Sequence, residues 1–198
     1  MIEFKSLCSE DPYILLKEKY DIALKAGQQN IEAIAISSFD KKKMEVDSRF
    51  VNLKFIDGKK FIFFSNYNSP KSIAFQSHDQ ICALFYWSSV DIQIRLKAKI
   101  EKTKVEFNQE YFKKRSIDKN ALAISSNQSQ GIKSYEQVLL KYNEIKDTND
   151  LKKCPDYWGG FSFIPYYFEF WEGHESRINK RKVFYKHSDI WKESFLQP

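Results

Sequence analysis

The sequence lacks the features that identify several common protein classes. Its three cysteines, Cys8, Cys82 and Cys154, are odd in number, far apart and without a C-x-x-C pair, so they predict neither a disulfide framework nor a zinc site. That usage is typical of a reducing, cytoplasmic location. The longest apolar run, residues 81–87, is far shorter than a membrane span, and residues 1–5 contain no signal-peptide core. We therefore expect no membrane partner.

Several enzyme signatures are also missing. The chain contains no G-x-G-x-x-G, no Walker loop and no G-x-S-x-G, which removes support for Rossmann, P-loop and hydrolase assignments. The histidines, His78, His174 and His187, do not have metal-motif spacing, so we expect them to be surface or structural residues and we expect no metal. The net charge of +6 is compatible with phosphorylated ligands or a solvated basic surface. No nucleic-acid module is present, and we expect no nucleic-acid partner.

The pattern that is present is β-rich. Aromatic residues make up 16% of the 198 residues, and they fit pleated surfaces. Strands are predicted over residues 31–37, 49–55, 60–65, 81–87, 91–101, 161–171, 182–186 and 190–195, and helices over 12–25, 69–78, 104–114 and 134–145. We therefore predict a mainly β fold with inserted helices (α+β) that forms an antiparallel barrel. We expect a single domain over 1–198, with an N-terminal helical segment over 1–28.

Cations at the ends of predicted elements are the candidate functional groups. Arg49 and Lys54 bracket the strand segment R-F-V-N-L-K. Lys71 follows a serine at the start of a predicted helix, where N–H groups, a hydroxyl and a cation can bind phosphate. Tyr111 and Arg115, four residues apart on a predicted helix, share a face and form a possible phosphate clamp. Taken alone, each of these residues is more often an ordinary surface charge.

An amide and an aromatic cluster complete the candidates. Gln93 lies within an alternating strand, where its amide suits the polar edge of a flavin ring or is simply exposed. The segment F-E-F-W-E-G places Trp171 where it could stack on an aromatic cofactor or belong to the core, and two arginines, Arg177 and Arg181, follow it.

Taken together, these segments resemble the pyridoxamine 5'-phosphate oxidase family, whose members use flavin mononucleotide (FMN). The resemblance extends from about residue 11 to residue 198. It is carried by R-F-V-N-L-K (49–54), F-F-S-N-Y-N-S-P-K (63–71), Gln93, Y-F-K-K-R (111–115), N-Q-S (127–129), W-G-G-F (158–161) and E-F-W-E-G…R…R (169–181). The order and spacing of the segments, rather than any one of them, make the resemblance specific.

The resemblance implies a split β-barrel and a homodimer with FMN sites at the subunit interface. The FMN contacts that it implies are Arg49, Phe50, Val51, Asn52, Leu53, Lys54, Phe64, Ser65, Lys71, Gln93, Gln128, Ser129, Trp171 and Arg181. The substrate contacts that it implies are Lys54, Tyr111, Arg115, Lys119, Arg177 and Asn179. Of these, Arg177 and Asn179 occupy the positions that the family uses beside the reacting substrate ring.

Four positions depart from the family pattern. Pro70 stands where an arginine normally precedes the phosphate-binding lysine, and Lys119 stands where a serine is usual. Asn179 replaces the histidine of an R-x-H motif, and Phe195 replaces an arginine near the end of the chain. Asparagine can form hydrogen bonds but cannot carry a proton as histidine can. The departures therefore concern the substrate contacts more than the FMN contacts.

The resemblance implies oxidation of pyridoxamine 5'-phosphate or pyridoxine 5'-phosphate to pyridoxal 5'-phosphate, with O2 as acceptor and H2O2 as product. Two alternatives remain open. The first is a related FMN oxidase with another substrate, for example one of the phenazine-pathway type, because substrate preference depends on the polar groups of a pocket. The second is a non-catalytic protein that binds a flavin or a B6 phosphate.

Overall fold

The computed structural model describes residues 1–148 and 150–198. The elements follow in the order β1 (Glu3–Lys5), α1 (Asp11–Lys25), β2 (Ala33–Asp40), β3 (Glu45–Asn52), β4 (Phe55–Asp57), β5 (Lys60–Asn66), α2 (Pro70–Ser77), β6 (Gln80–Trp87), β7 (Ile92–Lys102), α3 (Val105–Lys114), α4 (Ile117–Ser125), α5 (Tyr135–Thr148), β8 (Trp158–Glu172), β9 (Lys180–His187) and β10 (Ile190–Leu196). The prediction of a mainly β fold with inserted helices is confirmed. Within the described ranges, no helix is long and apolar enough to cross a membrane.

The strands form one sheet in the order β1-β4-β5-β8-β7-β6-β2-β3, and β9 and β10 extend it beside β8. Every pair is antiparallel except β1 with β4. The 15-residue strand β8 organises the sheet. One of its edges pairs with β7, and the other pairs with β5 and then with β9. The register of β8 with β7 shifts near Pro165, where the proline predicts a break or bend in the strand.

Alternation of apolar and polar residues produces these strands. In β7, Ile92, Ile94 and Leu96 are buried while the intervening residues are only partly so. Phenylalanines of β5 and β8 fill the interior, and α1 packs over them with Tyr13 edge-on to Phe168 at 5.1 Å between ring centroids. This phenylalanine-rich core holds the surrounding strands in place beneath the site.

One predicted strand, residues 49–55, is divided in the structure. The backbone N–H of Leu53 donates to Glu32 O at 2.9 Å, whereas that of Lys54 donates to Ile62 O at 2.8 Å. The chain therefore changes its pairing partner between these two residues, because β3 belongs beside β2 and β4 belongs beside β5. The hairpin turn that follows is centred on Gly58 and Lys59, one residue after the Asp57-Gly58 pair at which the sequence predicts a two-residue turn.

Three further predictions need correction. The segment 1–28 is helical only over Asp11–Lys25, because Glu3–Lys5 forms a strand parallel to β4. Helix α4, Ile117–Ser125, was not predicted. Arg115 lies just beyond α3 with extended backbone, so it does not share a helix with Tyr111. The chain direction changes there, and α4 returns toward the same cavity.

Candidate cofactor and substrate site

A cavity of about 420 Å³ lies where β3, β5, α2, α3 and α4 meet. Twelve of the residues predicted for the site line it: Arg49, Phe50, Val51, Asn52, Lys54, Phe64, Ser65, Lys71, Tyr111, Arg115, Lys119 and Gln128. Lys114 and Ser116 complete the lining. Among the described residues that line it, six are cationic and none is acidic. We call this cavity the cationic pocket.

Three donors converge on one oxygen at the α2 side of the cationic pocket. Gln128 Oε1 accepts hydrogen bonds from Ser65 Oγ at 3.2 Å, from the Asn66 backbone N at 3.4 Å and from Lys71 Nζ at 3.4 Å. Hydroxyl, backbone N–H and ammonium donors form the set that binds a phosphate oxygen. We call Arg49, Ser65, Lys71 and Gln128 the first anion site.

The charges of the first anion site are poorly compensated. Lys71 is 5% exposed and its ammonium donates to Ser69 Oγ at 3.0 Å. Burial, and then the charge of Arg49, lower the pKa of Lys71 to about 8. Arg49 pairs with Asp47 through Nη2, but its buried Nη1 has no hydrogen-bond partner within residues 1–148 and 150–198. A buried donor without a partner is costly, so an anion bound here would stabilise both cations.

The second group of donors lies on the α3–α4 side of the pocket. Lys54, Tyr111, Arg115 and Lys119 form what we call the second anion site. Burial lowers the pKa of Lys54; the charge of Glu32 opposes that shift, and the smaller contributions of Lys119 and Arg115 add to it. Burial raises the pKa of Tyr111, so its hydroxyl remains a donor. These four side chains can bind a second anion, and the cost of holding the cations together falls when it is bound.

Parallel aromatic rings separate the two anion sites from the core. Phe64 stacks on Tyr111 with centroids 3.8 Å apart, and on Trp158 at 5.2 Å, with interplanar angles of 8° in both pairs. The guanidinium of Arg115 lies 4.6 Å from the centroid of the Trp158 ring. The stack fixes the positions of Tyr111 and Arg115 by packing.

Three other predicted FMN contacts lie opposite one another on three neighbouring strands. Gln93 of β7 pairs with Trp171 of β8, which pairs with Arg181 of β9. We call these three residues the outer row. An amide, an indole and a guanidinium in one line can contact the edge and face of a flat heterocycle.

A buried carboxylate holds the arginine of the outer row. Glu169, 3% exposed, accepts hydrogen bonds from Arg181 Nε at 2.9 Å and Nη2 at 2.7 Å through Oε1. Its other oxygen accepts from Arg95 and, at 2.9 Å, from the Tyr167 hydroxyl. Arg181 Nη1 donates to the Gln197 carbonyl at 2.9 Å. Arg181 is thus fixed in orientation, and it shares the single negative charge of Glu169 with Arg95.

The two residues predicted beside the substrate ring lie in the loop between β8 and β9. Arg177 is exposed and has a left-handed backbone (φ 59°), and its N–H donates to His174 O at 2.8 Å. Asn179 Oδ1 accepts from the His174 backbone N at 3.1 Å. In this chain the Asn179 side chain therefore links the two ends of the loop that contains Arg177.

The outer row and this loop do not line the cationic pocket of the same chain. Trp158, which stacks on the pocket residue Phe64, and Trp171, in the row, are 13 residues apart on β8, which corresponds to about 43 Å along an extended strand. Measured along the strand, that separation is longer than one flavin. Two further predicted contacts also lie outside the pocket lining: Leu53 is fully buried in the core, and Ser129 is exposed beside Gln128 with φ 67°.

The sequence prediction did not include the residues that orient the predicted site residues. Glu169, within the E-F-W motif, was not singled out although a charge in a buried aromatic strand is itself a signal. Asn120, which contacts Arg115, gave no signal because its partners are distant in sequence. Lys114 and Ser116 could have been found as neighbours of Arg115 in K-K-R-S.

Comparisons with known proteins agree along nearly the whole chain. Residues 21–149 match the family model described as pyridoxamine 5'-phosphate oxidase, and residues 158–198 match that of the pyridoxine 5'-phosphate oxidase C-terminal dimerisation region. A pyridoxine/pyridoxamine 5'-phosphate oxidase of Christiangramia forsetii is 34% identical over 194 residues, covering 96% of this chain and 89% of the relative. One of Coxiella burnetii is 32% identical over 189 residues, covering 95% and 96%.

A solved structure shows the same fold. The crystal structure of PhzG from Burkholderia lata 383, in complex with tetrahydrophenazine-1-carboxylic acid, matches with a TM-score of 0.88 and 23% identity, covering 94% of this chain and 92% of that one. The match confirms the prediction of a split barrel of the FMN-binding type.

Proposed function

Because the chain belongs to the pyridoxamine 5'-phosphate oxidase family of FMN-dependent oxidoreductases, we propose that it oxidises pyridoxamine 5'-phosphate and pyridoxine 5'-phosphate to pyridoxal 5'-phosphate. In the pyridoxine case the substrate loses two hydrogens, and O2 gains them to become H2O2. In the pyridoxamine case water supplies the aldehyde oxygen and ammonia is released.

The observation that carries this proposal is the pair of anion sites in the cationic pocket. A reaction between FMN and a phosphorylated vitamer brings two phosphates into one cavity. The pocket offers the first anion site on its α2 side and the second on its α3–α4 side, with no carboxylate among its described lining residues. Two groups of cations so close together are costly unless each binds an anion.

The residues present fit an FMN phosphate at the first anion site. The orphaned Nη1 of Arg49 and the three donors that converge on Gln128 Oε1 are the groups that such a phosphate would satisfy. Bound there, FMN would supply the two-electron acceptor. Pro70 removes one cation that the family normally has, and Lys71 and Arg49 would carry the phosphate charge in its absence.

We also propose that a homodimer completes the site. The outer row does not line the cationic pocket of its own chain. The region matched by the dimerisation model, residues 158–198, contains both the row residues Trp171 and Arg181 and the loop of Arg177. The edge strand β3 exposes apolar side chains, among them Val46 and Phe50, each 72% exposed. An exposed apolar edge beside a ligand pocket is typical of an interface.

The chain's own residues would then bind and orient the substrate. Lys54, Tyr111 and Arg115 would bind its phosphate, with Lys119 as an additional cation. Arg177 of the other subunit would hold the ring close to the flavin. Asn179 has no proton to exchange and is engaged with His174, so we assign it to shaping the loop.

The visible spectrum of the purified protein tests the proposal. A flavin spectrum that bleaches when pyridoxine 5'-phosphate is added without O2, and recovers with release of H2O2 when O2 is admitted, is the expected result. A flavin that stays oxidised with both phosphorylated vitamers would contradict the proposed substrate.

A second substrate class has specific support. Lys119 adds a cation beside Arg115, and Asn179 replaces the family's histidine, so the pocket is suited to a substrate with more negative charge and without need of that histidine. An FMN oxidase acting on an aromatic carboxylate, of the phenazine-pathway type, would fit these two changes. Anaerobic bleaching by such a carboxylate, and not by B6 phosphates, would favour it.

A further inference from the structure

Arg115 is the arginine of the second anion site, and the way it is held is unusual. Within the described ranges it forms no salt bridge, although much of its side chain is buried. Its Nη1 donates to Asn120 Oδ1 at 3.1 Å, and its guanidinium lies against Trp158. A guanidinium is more often oriented by a carboxylate, because the charge-assisted pair is stronger. Here a neutral amide has that position.

The amide of Asn120 is fixed by its other contacts. Asn120 is 1% exposed, and its Nδ2 donates to Phe112 O at 2.9 Å and to Leu151 O at 2.8 Å. Both hydrogens of the amide are therefore used on carbonyls, and its oxygen must face Arg115. The side chain thus connects the end of α3, the start of α4 and the segment between α5 and β8 to one guanidinium.

We propose that Asn120 is the positioning residue of the second anion site: its neutral amide orients Arg115 and leaves the positive charge free for a phosphate. The proposal rests on the proposed function only in taking that phosphate to belong to a B6 vitamer. The change Asn120→Asp would pair a carboxylate with Arg115 and place an oxygen against the two carbonyls. The change Asn120→Ala would leave Arg115 and both carbonyls without their partner.

Binding measurements on the FMN-loaded protein test this role without relying on turnover. Asn120→Ala and Asn120→Asp are compared with the matched control variants Asn108→Ala and Asn108→Asp. Asn108 is likewise a buried amide whose nitrogen and oxygen are both hydrogen-bonded, but it contacts Tyr67 and Gly160 outside the pocket. The probes are pyridoxal 5'-phosphate, pyridoxal and inorganic phosphate, each titrated calorimetrically, with FMN content and melting temperature recorded.

We expect the Asn120→Ala variant to bind both phosphate-containing probes about tenfold more weakly, because the charge-assisted contact that orients Arg115 is lost. We expect Asn120→Asp to weaken them about a hundredfold, because the new carboxylate neutralises Arg115. Pyridoxal binding should be unchanged. The Asn108 variants should lose stability without a change in the ratio of pyridoxal 5'-phosphate to pyridoxal affinity. If the Asn120 variants weaken all three probes equally, as the loss of a merely structural amide would, the proposal is wrong.

A double-mutant cycle gives an independent decision. In an Arg115→Ala background, Asn120→Ala should have no further effect on phosphate affinity, because the residue acts through Arg115. Additive effects would overturn the proposal. If the parent protein binds inorganic phosphate but binds pyridoxal 5'-phosphate no more tightly than pyridoxal, the proposed function fails. The inorganic phosphate data then still decide the role of Asn120. If it binds neither phosphate nor pyridoxal 5'-phosphate, both proposals fail.

Discussion

The cationic pocket and the outer row both contain arginines, but Arg115 of the pocket and Arg181 of the row are held in opposite ways. In the pocket, Arg115 is oriented by a neutral amide and Lys71 by a hydroxyl. In the row, Arg181 shares the buried carboxylate of Glu169 with Arg95. Charge left uncompensated suits the phosphate binding that we propose for the pocket, whereas an arginine paired with a carboxylate offers directed N–H groups to an uncharged ring.

The strongest test of this contrast removes the carboxylate of the row. Glu169→Gln should lower the free energy of unfolding by about 3 kcal/mol, because two arginines lose their shared counter-ion; both are partly exposed, which keeps the loss at the lower end for a buried pair. Thermal unfolding measures it. Glu193→Gln, which breaks an exposed pair with Lys182, is the control and should cost less than about 1 kcal/mol. Equal losses would remove the distinction.

The reverse prediction applies to the pocket. Lys71→Met should stabilise the FMN-free protein by about 1 kcal/mol, since a buried uncompensated charge is removed. The same change should weaken FMN binding about a hundredfold, because a charge-assisted contact to phosphate is lost. Fluorescence titration with FMN and thermal unfolding measure the two effects, with Lys192→Met as an exposed control. A variant that is both less stable and fully able to bind FMN would contradict the charge assignment.

Arg177 separates turnover from cofactor binding. Arg177→Ala should lower turnover by about tenfold, which is the loss expected when one contact to the substrate ring is removed. It should leave FMN affinity unchanged, because the loop of Arg177 lies outside the cationic pocket that contains the first anion site. Steady-state kinetics with FMN occupancy monitored gives both quantities. Unchanged turnover would remove Arg177 from the proposed substrate contacts.

The smallest effect is a pH dependence that only the pocket should show. The pKa of Lys71 is lowered from 10.5 to about 8 by burial and by Arg49. Below pH 8 the ammonium is already charged; above it, binding of a phosphate must first restore the proton. FMN affinity should therefore fall above pH 8 by at most about tenfold per pH unit.

The same lowered pKa makes the folded, FMN-free protein release a proton that the unfolded chain keeps. Its stability should therefore rise between about pH 8 and pH 10.5. The Lys71→Met variant serves as the control for both profiles, because it should lose this contribution to each. A parent profile identical to that of the variant would show that Lys71 does not carry the effect.

The sequence was sufficient for features that depend on neighbouring residues. Alternation predicted β7, and Ser69-Pro70 predicted the start of α2, although the Ser69 hydroxyl donates to Asn66 O instead of capping the helix. The pattern R-F-V-N-L-K continues without interruption across the point where the chain stops pairing with β2 and starts pairing with β5. Alternation alone therefore could not reveal the break at Leu53 and Lys54.

The residues that orient the proposed ligand-binding arginines could not be predicted in the same way. Asn120 is defined by the carbonyl of Leu151, and Glu169 by an arginine on each of two other strands. These partners meet only when the whole sheet has formed. The family resemblance implied which residues would contact ligands, but not whether an arginine among them is paired with a carboxylate.

The length of β8 has a genetic consequence. Because one end of the strand serves the pocket and the other end the row, each active site of the proposed homodimer would draw on two subunits. Two inactive alleles, one altered at Lys71 and one at Arg181, should then complement each other when expressed together. Random pairing would leave about a quarter of all sites intact, since half of the dimers are mixed and each mixed dimer has one unaltered site.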